Sequence, residues 1–277
     1  MKTVTLPSGE SVPALGMGTW QMAGDRGRRT EEIAALRLGL DRGLTLIDTA
    51  EMYGEGAAEE LVAEAIAGRR GEVFLVSKVY PHNASRQGTV AACERSLKRL
   101  KTDRLDLYLL HWPGSVPIGD TVAAFAELQQ AGKIRHYGVS NFDAADMAEL
   151  WTAPGGAAAA TNQVLYNLSR RGIEWNLLPW CRERRVPIMA YSPIEQGRLA
   201  RDARLAAFAR RHGLTATQAA LGWLLAKDDV IVIPKTGRRE RLQENLGALE
   251  RPLTKPQLDE LDDLFPPPSG ARPLEMI

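Results

Sequence analysis

The feature that most constrains this chain is a regular alternation of short, apolar, β-branched runs with longer segments of helical spacing. Runs that read as buried strands begin near Ala14, Thr45, Val73, Leu105, His136, Thr161, Pro187 and Val230, in steps of about 31 residues, the size of one βαβ unit. Eight such units predict an α/β fold of the parallel (β/α)8 barrel type, for which a chain of 277 residues is long enough. An open doubly wound sheet has the same alternation. A dinucleotide-binding sheet of that kind needs Gly-x-Gly-x-x-Gly after its first strand, and the nearest candidates fail. Gly16 and Gly18 are followed by Gln21 at the third position, and Gly54 and Gly56 by Glu59. The barrel is the expected architecture.

End signals support the segmentation. Residues 3–6 and 11–15 flank a Pro-Ser-Gly turn and read as an N-terminal hairpin. Thr30 is expected to cap a helix with Glu31 and Glu32 in its first turn, Ile33, Leu36 and Leu40 on one face, and Gly43 as its stop. Val90, Cys93, Leu97 and Leu100 repeat the pattern and place Cys93 on a packed face as a structural thiol. Thr254 and Pro256 open a last helix carrying Leu258, Leu261 and Leu264, and Pro266-Pro267-Pro268 ends it. No linker or composition shift divides the chain, so one domain spanning residues 1–277 is expected, with a short C-terminal tail.

Composition narrows the function. The 35 basic residues nearly balance the 34 acidic ones, leaving a formal charge of +1, which gives no footprint for nucleic acid or an anionic membrane. Cys93 and Cys181 form neither a disulfide framework nor a metal-spaced pair, and the N-terminus lacks an apolar signal core. A soluble protein of the reducing cytoplasm is expected.

In a barrel of this type the C-terminal ends of the strands form the open mouth, so polar residues there are candidates for chemistry. Strand two ends in Asp48, followed by Tyr53; strand three carries Lys78; strand four runs into His111. A charge within an apolar strand is costly unless paired, and Asp48 and Lys78 can pair across neighbouring strands. Taken alone, the two are also compatible with a structural ion pair, Tyr53 with a packing aromatic and His111 with a core histidine. Together they suggest a carbonyl-binding group. An ammonium beside Tyr53 favours the phenolate and is expected to lower its pKa from about 10, making it a usable acid, with His111 adding a hydrogen bond to the carbonyl. A hydride donor is then missing. In an alternative chemistry Lys78 is the Schiff-base nucleophile of an aldolase, but an adjacent Asp48 would keep that lysine charged. A metal hydrolase is weaker still, since His82, His136 and His212 form no cluster with His111; no metal is expected.

The stretch from Asp48 through Glu51, Met52 and Tyr53 to Gly54, then Val76-Ser77-Lys78, then Leu109-Leu110-His111-Trp112-Pro113, resembles the aldo-keto reductase signatures in order and spacing. The likeness continues through Gly138-Val139-Ser140-Asn141-Phe142, Asn162-Gln163-Val164, Tyr191-Ser192-Pro193 and Ile233-Pro234-Lys235-Thr236, over nearly the whole chain. It implies a barrel that reduces aldehydes or ketones with a nicotinamide cofactor extended across the mouth. By matching position, Tyr53 is the proton donor, Lys78 the cation that tunes it, Asp48 the partner of Lys78, and His111 the group that orients the carbonyl.

The same resemblance implies that Ser140, Asn141 and Gln163 hold the nicotinamide carboxamide, and that Tyr191, followed by Ser192, stacks on the ring. Lys235, Thr236 and Arg241 hold the adenosine 2′-phosphate, while Glu244 and Asn245 face the adenine, so NADPH is the expected cofactor. The long connection before strand eight places Gln196, Gly197 and Leu199 near the pyrophosphate. Trp20, Tyr80 and Trp112 are the implied substrate-pocket residues. With so short a tail, an open pocket taking small or varied carbonyls is expected. Stretches such as Asn162-Gln163-Val164-Leu165-Tyr166 look most like bacterial members that reduce methylglyoxal and related 2-oxoaldehydes. A monomer is common in the family. Some members are NADPH-binding redox-sensing subunits with little turnover, an alternative that the four intact catalytic positions disfavour.

Overall fold

The computed structural model describes residues 2–277. Strands β1 (Thr3–Thr5) and β2 (Ser11–Pro13) form the antiparallel hairpin, with Val4 opposite Val12. Eight strands then follow, each parallel to the next: β3 (Met17–Gly18), β4 (Leu46–Asp48), β5 (Phe74–Val79), β6 (Leu105–Leu110), β7 (Ile134–Ser140), β8 (Asn162–Leu165), β9 (Ile188–Tyr191) and β10 (Val230–Val232). The sheet curls until its ends meet. Leu15 bridges Val232 and Gly18 bridges Lys235, with the Val232 N–H donating to the Ala14 carbonyl at 2.8 Å and the Gly16 N–H to the Val232 carbonyl at 2.9 Å. The expected (β/α)8 barrel with its hairpin is the observed architecture.

Among the described residues ten helices surround it: α1 (Arg29–Asp41), α2 (Ala57–Ala65), α3 (Arg86–Leu100), α4 (Ile118–Gln130), α5 (Ala144–Thr152), α6 (Leu177–Glu183), α7 (Ala203–Arg211), α8 (Ala216–Leu225), α9 (Arg239–Glu250) and α10 (Lys255–Leu264). The long step between β9 and β10 holds two of them, α7 and α8. Strands β4, β5, β6, β8 and β10 are buried along their whole length, as parallel strands sandwiched between side chains of the interior and a helical shell must be. Cys93 and Cys181 are buried free thiols, each pushed up to about 12 by burial, which makes them inert packing groups.

One capping expectation is corrected. Thr30 lies inside α1 and caps nothing, because Asp25 accepts from the Gly27 N–H at 2.8 Å and starts a 3-10 turn, Arg26–Arg28, that runs directly into the helix. Gly43 does end it, in the left-handed conformation at φ 85°. At the other end of the chain the Thr254 N–H donates to the Gln257 Oε1 at 2.8 Å and Pro256 sits in the first turn of α10, as expected.

The hairpin closes the N-terminal end of the barrel. Buried Asp106, at the start of β6, accepts from the Leu75 N–H at 2.9 Å and pairs with Arg135, which also reaches Glu10 of the hairpin at 2.8 Å. The opposite end, where the strands finish, is left open.

Close strand packing sets a test of the fold. A Cβ on Gly138 in β7 would lie 2.5 Å from the Thr161 carbonyl oxygen, a backbone atom that cannot swing aside, whereas a Cβ on Gly119 in α4 meets nothing. Gly138→Ala should lower the unfolding free energy by about 1–3 kcal/mol, and Gly119→Ala should leave it unchanged or raise it by up to about 1 kcal/mol. Urea melts of the two variants check the contrast.

Candidate active site

The strand ends build the centre of the mouth. Lys78, on β5, is fully buried, and its ammonium donates to a carboxylate oxygen of Asp48 at 2.8 Å, to the Thr49 carbonyl at 2.9 Å and to the Tyr53 hydroxyl oxygen at 3.0 Å. All three of its protons are therefore used. Because the Tyr53 oxygen accepts from Lys78, the phenol's own proton is free to point into the cavity. Tyr53 and His111 meet edge to face with ring centroids 5.8 Å apart. Asp48 is held from its other side by the Gln163 Nε2, which donates to Oδ1 at 2.8 Å.

The electrostatics correct one expectation. Burial first, and Asp48 second, push the Tyr53 pKa well above that of an ordinary phenol. The sequence shows the lysine neighbour but neither the enclosure of the hydroxyl nor the nearness of a second charge of opposite sign to the lysine. Burial likewise pushes Lys78 down while Asp48 pulls it back up. His111 is held down at about 2, by burial and then by Lys78, so its imidazole is neutral at physiological pH, and its buried Nδ1 has no partner among the described residues. The cluster thus combines a neutral phenol, a neutral imidazole and one compensated ion pair.

A cavity of about 670 Å³ runs from this cluster across the mouth. On one side of its floor Tyr191 donates to the Asn141 Oδ1 at 3.0 Å, and Asn141 donates to the His111 carbonyl at 3.0 Å and to the Ser140 Oγ at 3.2 Å, which fixes the Tyr191 ring. Ser140 in turn donates to the Gln163 carbonyl at 2.8 Å. The far end is basic. Lys235 is held below its ordinary pKa by burial, an effect that Glu32 opposes and to which Arg28 and Arg241 add. Among the described residues, none of Arg28, Lys235 and Arg241 is paired with a carboxylate. Glu32 is buried beneath this loop, where a Cβ on Gly237 would come within 2.7 Å of it, so only glycine lets the loop sit so close. Trp20, Met52, Trp112, Met276 and Ile277 also line the cavity.

The sequence profile of the aldo/keto reductase family matches residues 14–265. The chain belongs to that family. It is 50% identical to methylglyoxal reductase YeaE of Escherichia coli K12, an alignment that covers 100% of this chain and 99% of that protein. Glyoxal reductase of Bacillus subtilis is 33% identical over 95% of this chain and 92% of its own length. Among solved structures, an aldo/keto reductase from Klebsiella pneumoniae in complex with NADP and acetate superposes with a TM-score of 0.97 at 47% identity, covering 100% of this chain and 99% of that one.

Of the residues singled out from the sequence as matching this family, Asp48, Tyr53, His111, Trp20, Trp112, Ser140, Asn141, Gln163, Tyr191, Ser192, Gln196, Gly197, Lys235, Thr236 and Arg241 line the one cavity. Lys78 lies beneath it, in contact with Tyr53. Tyr80 packs against Trp112 with ring centroids 5.8 Å apart but stands off the wall. Leu199, Glu244 and Asn245 are also off it; Leu199 and Asn245 are buried. Arg28, Met52, Met276 and Ile277 join the cavity without having been read from the sequence. The tail carrying Met276 and Ile277 therefore closes part of the pocket that its shortness had suggested would be open.

The direction of the Tyr53 shift can be measured without turnover. The near-ultraviolet difference titration between the parent and Tyr53→Phe should show no phenolate signal below about pH 10, because the group keeps its proton until the pH exceeds its raised pKa. A step with a lower midpoint would mean that Lys78 outweighs burial and Asp48.

Proposed function

We propose that the chain is an NADPH-dependent reductase of aldehydes and ketones, with small 2-oxoaldehydes such as methylglyoxal among its substrates. The observation that carries this reading is the Tyr53 hydroxyl, which accepts from a lysine whose other two protons are taken and so presents its own proton to the cavity. The names of the two bacterial relatives and the NADP in the Klebsiella structure support the substrate class and the cofactor.

The cavity fits such a cofactor on its own chemistry. Arg28, Lys235, Arg238 and Arg241, four cations at one end with no carboxylate partner among the described residues, suit a phosphate dianion, guanidinium groups being able to bind it through paired N–H donors. A ring fixed through Asn141, which is itself held by the His111 carbonyl, suits a flat heterocycle at the other. Lys235, Thr236 and Arg241, with Arg28 opposite, would hold the 2′-phosphate; Ser140, Asn141 and the Gln163 carbonyl oxygen would orient the carboxamide against Tyr191. Bound NADPH supplies the hydride. Tyr53 then donates its proton to the carbonyl oxygen as negative charge develops there, and Lys78 stabilises the phenolate left behind. Neutral His111 offers a further hydrogen bond and fixes the carbonyl. Trp20, Trp112 and Met52 exclude water, which strengthens each of these interactions. The Schiff-base alternative fails on geometry, since the Lys78 nitrogen is enclosed by Asp48, Thr49 and Tyr53 and is fully buried. The two buried free thiols suit a reducing cytoplasm.

NADPH consumption against methylglyoxal, phenylglyoxal, a simple aldehyde, an aldose and a diketo acid tests the reading. Turnover fastest on the 2-oxoaldehydes is expected; NADPH binding without oxidation of the cofactor on any of them would make the protein a sensor. Tyr53→Phe should reduce turnover by a factor of about 100 or more and leave the NADPH dissociation constant within about twofold, because the hydroxyl acts on the carbonyl. Comparable turnover in that variant would remove Tyr53 from the role. Lys235→Ala and Arg241→Ala should each weaken NADPH by about tenfold or more and NADH far less, the loss of one charge-assisted contact to phosphate. Equal losses for the two cofactors in fluorescence titrations would reject the 2′-phosphate assignment.

A further inference from the structure

Arg170, in the turn after β8, stands outside the cavity but between two segments that line it. One edge of its guanidinium donates to Glu195 Oε1 from Nε at 3.0 Å, with Nη2 2.9 Å from the same oxygen, and its remaining nitrogen donates to Glu275 of the C-terminal tail at 2.5 Å. Glu195 belongs to the loop after β9, whose Ser192, Gln196 and Gly197 line the cavity; Glu275 immediately precedes Met276 and Ile277, which line it from the other side. We propose that Arg170 is a positioning residue that ties the tail to the cofactor loop, so that the anchored loop sets the Met276–Ile277 wall of the substrate pocket in place. This rests on reading the cavity as the NADPH and carbonyl site.

The loop side of the tie is rigid. Glu195 is buried, and its second oxygen accepts from Asn167 Nδ2 at 2.7 Å; the same Nδ2 donates to the Ser192 carbonyl at 2.9 Å. The Asn167 Oδ1 accepts from the N–H groups of Ser169 and Arg170 at 2.9 and 3.1 Å, which fixes the turn that carries the arginine. Ser192, Glu195 and Gln196 hold left-handed backbone at φ 48°, 50° and 52°. Such conformations persist in non-glycine residues only where the surroundings enforce them, and here Asn167 and Arg170 supply the restraint.

The tail side is loose. Residues 271–277 are exposed or half-exposed, and the Arg170 contact is the one side-chain hydrogen bond that Glu275 makes among the described residues. Met276 and Ile277 share the cavity lining with Tyr191, the ring assigned to the nicotinamide. Leu274 packs against the core and Glu275 pairs with Arg170, so the last two residues take their position from these better-anchored partners. The anchored loop therefore positions the tail, NADPH held against Ser192, Gln196 and Gly197 adds to that restraint, and the tail narrows the pocket for the carbonyl.

Two readouts on the full chain test this: the rate at which carboxypeptidase removes Ile277 and Met276, followed by mass spectrometry with and without NADPH, and the kinetics on phenylglyoxal. In the parent, saturating NADPH should slow trimming several-fold. Glu275→Gln should trim faster than the parent and lose most of the NADPH protection, with its NADPH dissociation constant unchanged. Its KM for phenylglyoxal should rise by up to about fivefold at similar kcat, the scale of one half-exposed ion pair. Arg170→Gln should reproduce both effects and also weaken NADPH, whereas Arg170→Lys, which keeps the charge and loses the fork, should restore part of each. NADPH that binds the parent without protecting the tail, or Glu275→Gln trimmed and protected as the parent is, would overturn the tie and leave the reductase reading standing. Absence of both NADPH binding and turnover in the parent would overturn that reading instead, and faster trimming of Glu275→Gln without cofactor would still support the ionic tie.

Discussion

An ammonium with no exposure, placed in the middle of a barrel wall, determines much of what surrounds it. Leaving one buried charge unpaired costs about 3–5 kcal/mol, a large fraction of a typical domain's whole stability. Lys78 is tolerable only because Asp48, the Thr49 carbonyl and the Tyr53 oxygen accept its three protons. That requirement fixes the end of β4, the backbone after it and the phenol beyond, all within reach of one nitrogen. It also orients the chemistry. A tyrosine that accepts from a lysine must direct its own hydroxyl proton elsewhere, and the cavity is the side left open. On the proposed reading, the interaction that stabilises the barrel wall is the one that makes Tyr53 a proton donor.

The two ends of the cavity are built differently. The groups around Tyr53 stand on strands or just past them. The cofactor end is made of loops in strained conformations. Nine non-glycine residues among those described have left-handed backbone, and four of them, Gln21, Asn141, Ser192 and Gln196, line the cavity. Ala23, Glu55 and Glu195 lie one or two positions from lining residues. Strain of about 1–3 kcal/mol per residue, concentrated in this way, is expected where backbone must be held for a ligand rather than for packing. Ala23 shows how it is held: its N–H donates at 2.9 Å to Glu32, the buried carboxylate beneath the basic loop. The loop after β3 and the loop after β10 are thereby linked through one side chain.

Much of the barrel and of the catalytic end was legible in the sequence because a parallel strand is so uniformly apolar that Asp48 and Lys78 stand out within it. Position along the strand then assigned them to the mouth. The sign of the Tyr53 shift was not legible, since it depends on the depth of the hydroxyl and on the balance of the Lys78 and Asp48 charges, of which sequence shows identity but not distance. Thr30 carried a plausible capping signal, but a turn begun five residues earlier by Asp25 overrode it. Arg28, Arg170 and Glu275 carried no local signal at all. Each is a charged residue in a surface loop or tail, and its meaning comes from Lys235, Glu195 and the cavity, all distant in the chain.

Separating the chemistry from the fit has a consequence for how such a site changes. The atoms around Lys78 satisfy one another, so a substitution there disturbs folding and proton transfer together and leaves little room for variation. The wall residues Trp20, Trp112, Met276 and Ile277 make no such closed set; Met276 and Ile277 are exposed and reach the cavity by way of a tail with a single polar anchor. The size and shape of the accepted carbonyl are therefore set by parts that can be exchanged without touching the ion pair beneath the phenol. A barrel whose proton donor is locked into its wall can keep the same reaction while its rim is refitted for different substrates.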